Sequence, residues 1–432
     1  MNMGYRIHTV DVLPAKPPRW LELRLRDTEW DEIRKNAAPP GFRLVVTDHG
    51  VIVEPVFLWL WQKFRRDKRS SAVGNTQKAY CDDLYEWLSY LEVVKRRWDL
   101  VSATDLELYV DRMVAATSPK TGQPYAPITI RRRMATILSF YKWAAVKGML
   151  AHDIGDIAVT ETIRLARAQD TDVMAHLRSG PAEAEVSTLL PSVYEKDQVD
   201  AFSPRDLKAV LHHLGPSHDE MDDPRPRRDR IIATLAVSTG MRIDEIASLT
   251  LPQFVTLRRD PAYGNYPLRL TKTKGLQPRT VIVPGSVYDD VAAYVDTERR
   301  AAVSHQRQTD ALFVNHAYAP RAPGGPLTAA SISRSFHAAV VQAGLYRSFK
   351  DPEGRDRVVA NHTFHDLRHT FALVMYFELK RRGDPAPWMR LKNLLGHKHL
   401  STTMNTYLRS VDTLEATMTD MIDAYLRELR NA

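Results

Sequence analysis

Apolar residues recur at spacings of three and four along most of this chain, and that spacing predicts a protein built mainly from helices. Four or five such stripes can be traced between residues 56 and 150 alone. An amphipathic helix must bury its apolar face, so this stretch predicts a compact helical domain with its polar residues outside the core. The clearest stripe consists of Tyr80, Leu84, Trp87, Leu88 and Leu91.

The excess of basic residues is small overall, but it is concentrated in one segment. The 432 residues include 60 Lys and Arg against 52 Asp and Glu, which gives a net charge of +8. Nearly all of that surplus lies between residues 55 and 150, beside the apolar stripes. A cationic face of this kind favours a polyanionic partner such as nucleic acid. The length corresponds to two or three domains at roughly 100–200 residues each.

Membrane and disulfide-stabilised classes are not expected. The longest apolar stretch, residues 51–61, is interrupted by Glu54 and Pro55 and is shorter than the roughly 20 residues needed to cross a bilayer. The single cysteine, Cys81, cannot form an internal disulfide and is expected to be a small buried hydrophobe. The first residues lack the basic-then-apolar layout of a secretory signal, so the cytoplasm is the expected compartment.

Changes in periodicity divide the chain into four predicted parts. Prolines interrupt the first part, which contains two short β runs around an Asp48-His49-Gly50 turn and receives no functional prediction. The third part has weaker periodicity and is predicted to be a linker carrying one helix. The parts are an N-terminal extension (1–54), the basic helical domain (55–150), the linker (151–200) and a second domain (201–432).

The second domain is predicted to begin with a helix capped by Ser203, with Pro204 at its first position and Asp206 in its first turn. Helices follow to the end of the chain, except at the segment LRLTKTKGLQPRTVIVP. Alternating apolar residues on both sides of a Gly275–Pro278 turn predict a β-hairpin there.

Three polar groups in this domain are candidates for chemistry. Arg242 follows a Thr-Gly break in STGMRIDEIASLT, where by itself it would be a solvated charge or a partner of Glu245. In HTFHDLRHTFALVMYF a Thr363–Asp366 capping box predicts a helix start, and His365 and Arg368 project from its first turn. Backbone N–H groups and the helix dipole attract anions at such a turn, which indicates a phosphate site. The third group is LLGHKHLSTTMNTYL.

Two other interpretations of the histidines stay open from the residues alone. His365 and His369 are four apart, so they could form an ordinary surface pair. The same spacing occurs in the zinc peptidase signature H-E-x-x-H, which would make the chain a zinc hydrolase. Asp366 and Arg368 stand where the signature has other residues, and a cation beside the metal disfavours that interpretation.

Taken in order, these motifs resemble the tyrosine recombinase, or phage integrase, family of DNA strand-exchange enzymes. The matching patterns are TGMRIDEI, TKG in a hairpin, HDLRHTFA, LLGH and a late tyrosine. The resemblance covers residues 200–420 by motif and residues 55–150 by layout. It implies a mainly α fold with a small β-hairpin in the catalytic domain, arranged as a two-domain clamp on DNA. The implied catalytic residues are Arg242, Lys274, His365, Arg368, His397 and Tyr407.

The resemblance also implies a role for each of these residues. Tyr407 would attack a DNA phosphodiester, and Arg242 and Arg368 would stabilise the negative charge that builds up on the phosphate. Lys274 would protonate the departing 5′ oxygen, although Lys272 shares its strand face and is a rival. The remaining implied roles belong to His365 as the acceptor or orienter near the tyrosine, His397 as a donor to the phosphate, and Glu245 as the support of Arg242.

The product would be a covalent 3′-phosphotyrosyl DNA, formed without ATP, metal or another cofactor. The expected partner is double-stranded DNA, and accessory DNA-bending proteins are a further possibility. The resemblance implies a homotetramer assembled through a C-terminal helix at residues 413–430, although the apolar stripe of that helix could equally pack on its own domain. Association with the nucleoid would follow. Candidate DNA contacts in the basic domain are Arg65, Arg66, Arg131, Arg132, Arg133 and Lys142.

Two related functions share much of this pattern. A DNA-binding protein that kept the fold and lost cleavage would have no use for Tyr407. A type IB topoisomerase has the same active-site plan and would relax supercoils without site preference.

Overall fold

A computed structural model describes residues 4–16, 27–64, 74–151, 160–164, 183–187, 200–217, 220, 222–271, 278–303 and 309–415. The chain forms two compact units, Met1–Tyr194 and Glu195–Ala432. Both units are mainly helical, and the strands in the described ranges form separate two-stranded antiparallel sheets. The predicted fold class is therefore confirmed. None of the described helices is both long enough and apolar enough to span a membrane.

The first unit combines a small sheet with a helical bundle, and its core unites the predicted apolar stripes. Trp87, Leu88, Ile137 and Phe140 are buried in it, as is Cys81. Because burial raises the pKa of the Cys81 thiol to about 12, that side chain behaves as a hydrophobe, as expected. The elements are β1 (Tyr5–Thr9), α1 (Asp27–Asn36), β2 (Arg43–Thr47), α2 (Glu54–Phe64), α3 (Asn75–Val93), a 3₁₀ turn (Trp98–Leu100), α4 (Ala103–Ala115) and α5 (Pro127–Val146).

The first 54 residues share the core of the helical bundle. Strand β1 pairs antiparallel with β2, and a single bridge joins Val46 to Ile52 beyond the predicted Asp48-His49-Gly50 turn. Phe42 and Val45 are completely buried in the same cluster as Trp59 of α2. The N-terminal segment therefore contributes to the stability of the first unit.

Two short strands occupy residues 160–164 and 183–187 of the predicted linker. Strand β3 (Thr160–Arg164) pairs antiparallel with β4 (Glu183–Ser187). The helix predicted between residues 151 and 200 falls outside the described residues.

The second unit is a helical domain with two hairpins. Its main core includes Leu207, Ile232, Ile246, Phe336 and Leu367. The elements are α6 (Pro204–Leu214), α7 (Arg228–Thr239), α8 (Ile243–Ala247), α9 (Leu251–Val255), β5 (Tyr266–Leu270), β6 (Arg279–Val283), α10 (Gly285–Tyr294), a π-helical turn (Val295–Arg299), α11 (Arg300–Val303), α12 (Ala329–Gln342), β7 (Tyr346–Lys350), β8 (Asp356–Ala360), α13 (Phe364–Arg381), α14 (Pro387–Leu395) and α15 (Leu400–Glu415).

Local predictions for this unit are confirmed at three places. Ser203 caps α6, because its hydroxyl accepts from the Asp206 amide at 3.1 Å. Strands β5 and β6 form the predicted hairpin, with Leu268 opposite Val281. The Thr363 amide donates to the Asp366 carboxylate at 2.7 Å, which completes the predicted capping box of α13.

Candidate active site

Arg242 owes its position to the glycine that ends α7. Gly240 has a φ of +65°, and a Cβ atom there would lie 2.4 Å from the ring of Phe371, so both the backbone conformation and the packing require glycine. The chain then turns into α8, and the Arg242 amide donates to Glu245 Oε2 at 2.8 Å. Arg242 Nη1 donates to Glu245 Oε1 at 3.1 Å. The predicted Arg242–Glu245 partnership is present in the structure.

Glu245 also binds a second arginine that the sequence did not single out. Its side chain is 2% exposed, and Nη2 of Arg279 donates to Glu245 Oε2 at 2.7 Å. Arg279 lies at the start of β6 on the same face as Val281 and Val283, both of which are buried. An arginine at an apolar position of an alternating strand is a signal for a buried ion pair, and it could have identified this residue.

Arg368 is buried in the interior of the second unit. It is 2% exposed, and its guanidinium donates to the carbonyl of Gly240 through Nη1 and to the carbonyl of Leu395 through Nη2 (2.6 Å). Burial lowers its pKa to about 9, and the nearby cations Arg242 and Arg279 add to that decrease. The guanidinium nevertheless stays largely protonated at neutral pH.

His397 follows directly after the end of α14. Gly396 has a φ of +67°, so the helix stops there and the preceding Leu395 carbonyl accepts from side chains. Arg368 Nη2 lies 3.3 Å from His397 Nε2, and His397 Nδ1 lies 2.8 Å from the Thr403 hydroxyl oxygen. Because a guanidinium only donates, Nε2 accepts and the ring carries its proton on Nδ1. Burial lowers the His397 pKa to about 4, with Arg368 contributing, so the ring is neutral at pH 7.

Tyr407 lies on α15 and is 1% exposed. Its phenol oxygen is hydrogen-bonded to Nδ1 of His369 at a distance of 3.0 Å. Burial raises the Tyr407 pKa to about 12, although Arg368 and Arg242 oppose the increase. Burial and His365 lower the His369 pKa to about 4. Helices α13 and α15 therefore bring the candidate nucleophile to a neutral imidazole.

His365, which the resemblance places near the tyrosine, is exposed on the first turn of α13. Its ring packs edge-on against His369, with ring centroids 4.7 Å apart. His369 thus lies between His365 and Tyr407. From the sequence alone, His369 was considered only as a surface-pair partner of His365 or as a zinc ligand. The described part of the chain contains no group of three or more His, Cys, Asp or Glu side chains arranged to hold a metal ion.

Positive charge exceeds negative charge in this cluster. The guanidiniums of Arg242 and Arg279 both bind the carboxylate of Glu245, and the charges of Arg242 and Arg279 act on the nearby guanidinium of Arg368. Desolvation makes such an excess unfavourable unless an anion approaches the cluster. The arrangement can therefore bind a phosphate group beside a buried phenol. Lys272 and Lys274 lie outside the described residues.

The basic candidates of the first unit have several different environments. Arg132 binds the buried carboxylate of Asp83, with Nη2 donating to Oδ1 at 2.8 Å. Arg133 lies over the ring of Tyr125 at 4.8 Å and is only 16% exposed. Arg131 is half-buried, whereas Lys142 is exposed. Arg65 and Arg66 lie outside the described residues. Arg132 and Arg133 thus have structural partners in addition to any contact with DNA.

Both units contain segments that match sequence profiles of known protein families. Residues 203–413 match the sequence profile described as the phage integrase family, and residues 62–148 match the N-terminal SAM-like domain of phage integrases. The chain therefore belongs to the phage integrase family. Members of this family are tyrosine recombinases, and the chain is an enzyme of DNA strand cleavage and exchange.

Curated relatives of the chain are also named tyrosine recombinases. "Tyrosine recombinase XerC" of Lactobacillus delbrueckii subsp. bulgaricus is 25% identical over 306 residues, which is 71% of this chain and 78% of the relative. "Tyrosine recombinase XerC" of Listeria monocytogenes is 23% identical over 332 residues, covering 76% and 85%. Among solved structures, the Tn1549 transposon integrase in complex with a circular intermediate DNA has a TM-score of 0.48 at 16% identity, covering 87% of this chain and 99% of that one.

Proposed function

We propose that this chain is a site-specific DNA recombinase that cuts and rejoins strands through Tyr407. The observation that supports this most directly is the cluster of three guanidiniums near the buried phenol, two of which share the Glu245 carboxylate. A DNA phosphodiester supplies the negative charge that the cluster lacks. The basic first unit would contribute phosphate contacts along the duplex.

Arg242 and Arg368 are proposed to bind the phosphate under attack. Negative charge builds up on the two non-bridging oxygens during the displacement, and planar guanidiniums match that geometry. Each hydrogen bond to a charged group contributes about 1.5–3 kcal/mol, so two forks would lower the barrier substantially. Arg242 is 22% exposed and would meet the phosphate first, while Arg368 would exchange one of its carbonyl contacts for a phosphate oxygen.

The proposed reaction is a transesterification. The phenol oxygen of Tyr407 forms a bond to phosphorus, the bond from phosphorus to the 5′ oxygen breaks, and a 3′-phosphotyrosyl DNA results. The 5′ oxygen takes a proton from Lys274, which we assign from the family resemblance, with Lys272 as the rival. Attack by another 5′ hydroxyl reverses these steps and frees Tyr407, so that neither ATP nor a metal is needed.

The proton of the phenol is proposed to pass to an imidazole on α13. The resemblance assigns this role to His365, whereas the 3.0 Å contact with Tyr407 favours His369. Both imidazoles therefore enter the proposal, His369 as the partner of the phenol and His365 as the exposed ring beside it. His397 is proposed to donate to the phosphate through Nε2, which requires it to release its present contact with Arg368 and to carry its ring proton on Nε2 in place of Nδ1.

The expected assembly is a homotetramer on double-stranded DNA, with accessory DNA-bending proteins and a nucleoid location. The helix predicted at 413–430 is the proposed contact between protomers. Helix α15 ends at Glu415, and the rest of that segment lies outside the described residues.

The decisive experiment uses nicked duplexes taken from the DNA that flanks the gene. Incubation with the full-length protein should give a protein–DNA adduct that survives denaturant, and Tyr407→Phe should abolish the adduct while leaving DNA binding intact. An adduct that persists in Tyr407→Phe would assign the nucleophile elsewhere. DNA binding without any adduct would favour the non-cleaving alternative, and relaxation of supercoils at any sequence would favour a type IB topoisomerase.

A further inference from the structure

Arg279 makes contacts that join three separate segments of the second unit. Its Nη2 donates to Glu245 on α8 at 2.7 Å, and its Nη1 donates to the carbonyl of Leu395 at the end of α14. A Cβ atom on Gly396 would lie 2.7 Å from Arg279 Cδ, so the side chain fills the space that this glycine leaves. With 8% exposure, the guanidinium is an internal link between the hairpin, α8 and α14.

These contacts form a chain of hydrogen bonds that links the two proposed phosphate-binding arginines, and the backbone between Gly240 and Arg242 closes it. Arg242 and Arg279 share the Glu245 carboxylate. Arg279 and Arg368 share the Leu395 carbonyl. Arg368 then donates to the carbonyl of Gly240, two residues before Arg242. Arg242 and Arg368 are thus oriented through a common partner.

The arrangement requires arginine in particular. A guanidinium holds two acceptors at fixed angles with its two terminal nitrogens, whereas a lysine ammonium is a single point of charge. A lysine in place of Arg279 could therefore satisfy Glu245 or the Leu395 carbonyl, but not both in the same geometry. His397 would be affected too, since it follows Leu395 by two residues and contacts Arg368.

We propose that Arg279 is a positioning residue of the phosphate site: it fixes Glu245 and the Leu395 carbonyl, and through them the orientation of Arg242 and Arg368. This inference rests on the proposed function, because it gives those two arginines a phosphate to bind. Arg279 acts through its neighbours, since its terminal nitrogens are already donating to protein acceptors.

The test compares Arg279→Lys and Arg279→Met with a matched control on the same sheet. Arg269 lies on β5, and its side chain is exposed, so Arg269→Met removes an arginine without touching the cluster. The substrate is a duplex that gives an adduct with the unaltered protein, with either a normal phosphate or a neutral methylphosphonate at the mapped cleavage position. A methylphosphonate lacks the charge that the arginines stabilise.

We expect Arg279→Lys to melt within a few degrees of the unaltered protein and to form adduct about 10²-fold more slowly on the phosphate duplex at saturating DNA. On the methylphosphonate duplex, the reduction in the rate of adduct formation relative to the unaltered protein should be at least tenfold smaller. Arg269→Met should match the unaltered protein on both duplexes. A deficit of equal size on both substrates, or no deficit at all, would overturn the positioning role.

A second measurement separates this inference from the proposed reaction. Inorganic phosphate should bind the unaltered protein in calorimetry, and both Arg279→Lys and Arg279→Met should weaken that binding at least fivefold, as Arg242→Met should. Undiminished phosphate binding in Arg279→Lys contradicts the inference, as does a lack of binding by the unaltered protein. If no duplex gives an adduct while these phosphate results hold, the recombinase proposal fails and the positioning role stands.

Discussion

The phenol oxygen of Tyr407 lies 3.0 Å from Nδ1 of His369, one helical turn after His365. The pKa of Tyr407 is about 12 and that of His369 about 4, so both groups are neutral at pH 7. Tyr407 is also 1% exposed. The contact therefore pairs a buried, protonated phenol, the proposed nucleophile, with a neutral imidazole that can accept its proton.

This contact predicts that His369 and His365 contribute unequally to cleavage. We expect His369→Gln to slow adduct formation by about 10²-fold, the lower end of what a positioned proton acceptor provides. His365→Gln should slow it less, because the His365 ring packs against His369, whereas His369 itself contacts the phenol. Single-turnover kinetics on the same nicked duplex compare the two variants. Full activity in His369→Gln with loss in His365→Gln would return the acceptor role to His365.

Stability of the second unit should decrease in acid because of two neutral histidines. The pKa values of His369 and His397 are about 4 in the folded protein and near 6.5 when unfolded, so between these values the unfolded chain binds more protons. Their contribution is complete above pH 6.5 and is lost as the pH falls toward 4. A fully buried ring would contribute about 3 kcal/mol, and partial exposure reduces this to about 1–2 kcal/mol each. Melting curves of His369→Gln should show a weaker pH dependence than those of the unaltered protein. Parallel curves would contradict the assignment.

Arg368 and Arg242 should differ in their effects on stability although both are proposed to act in cleavage. Arg368→Met leaves the buried Gly240 carbonyl without its side-chain donor and leaves the Leu395 carbonyl with Arg279 alone. We expect a loss of about 2 kcal/mol after relief of repulsion among the cations. Arg242→Met should cost about 1 kcal/mol or less, because Glu245 keeps Arg279 as a partner. Urea unfolding of both variants measures the difference. Equal losses would mean that the Gly240 carbonyl finds another donor.

Local patterns predicted the parts of the site that depend on single elements. The capping box at Thr363, the Thr-Gly break at Gly240 and the β5–β6 hairpin all follow from turn and cap chemistry in short windows. Motif order alone placed Arg242, Arg368, His397 and Tyr407 in one group. The structure brings these four residues into one unit.

Tertiary contacts determined what the sequence could not predict. His369 and Tyr407 are 38 positions apart, and only the packing of α15 against α13 brings their side chains together. On helical spacing alone, His369 was indistinguishable from a surface partner of His365. Arg279 lies 34 positions from Glu245, and its role depends on the end of α14 reaching the hairpin. The sequence shows such contacts at most as an unusual residue, such as an arginine at a position of an alternating strand where an apolar residue is expected.

In the first unit, Arg132 and Lys142 should separate structural from DNA-binding roles. Arg132 ties α5 to Asp83 on α3, a carboxylate that is 2% exposed and also accepts from Thr136 at 2.9 Å. We expect Arg132→Ala to destabilise this unit by about 2–3 kcal/mol, somewhat less than the loss of a fully buried pair, because Arg132 itself is 45% exposed.

Lys142 is exposed on the same helix and serves as the matched control, so Lys142→Ala should leave stability unchanged. If Lys142 contacts a phosphate, its removal should reduce the slope of log affinity against log salt by about 1. Fluorescence anisotropy on duplex DNA at several salt concentrations measures that slope, and an unchanged slope would remove Lys142 from the DNA-binding face.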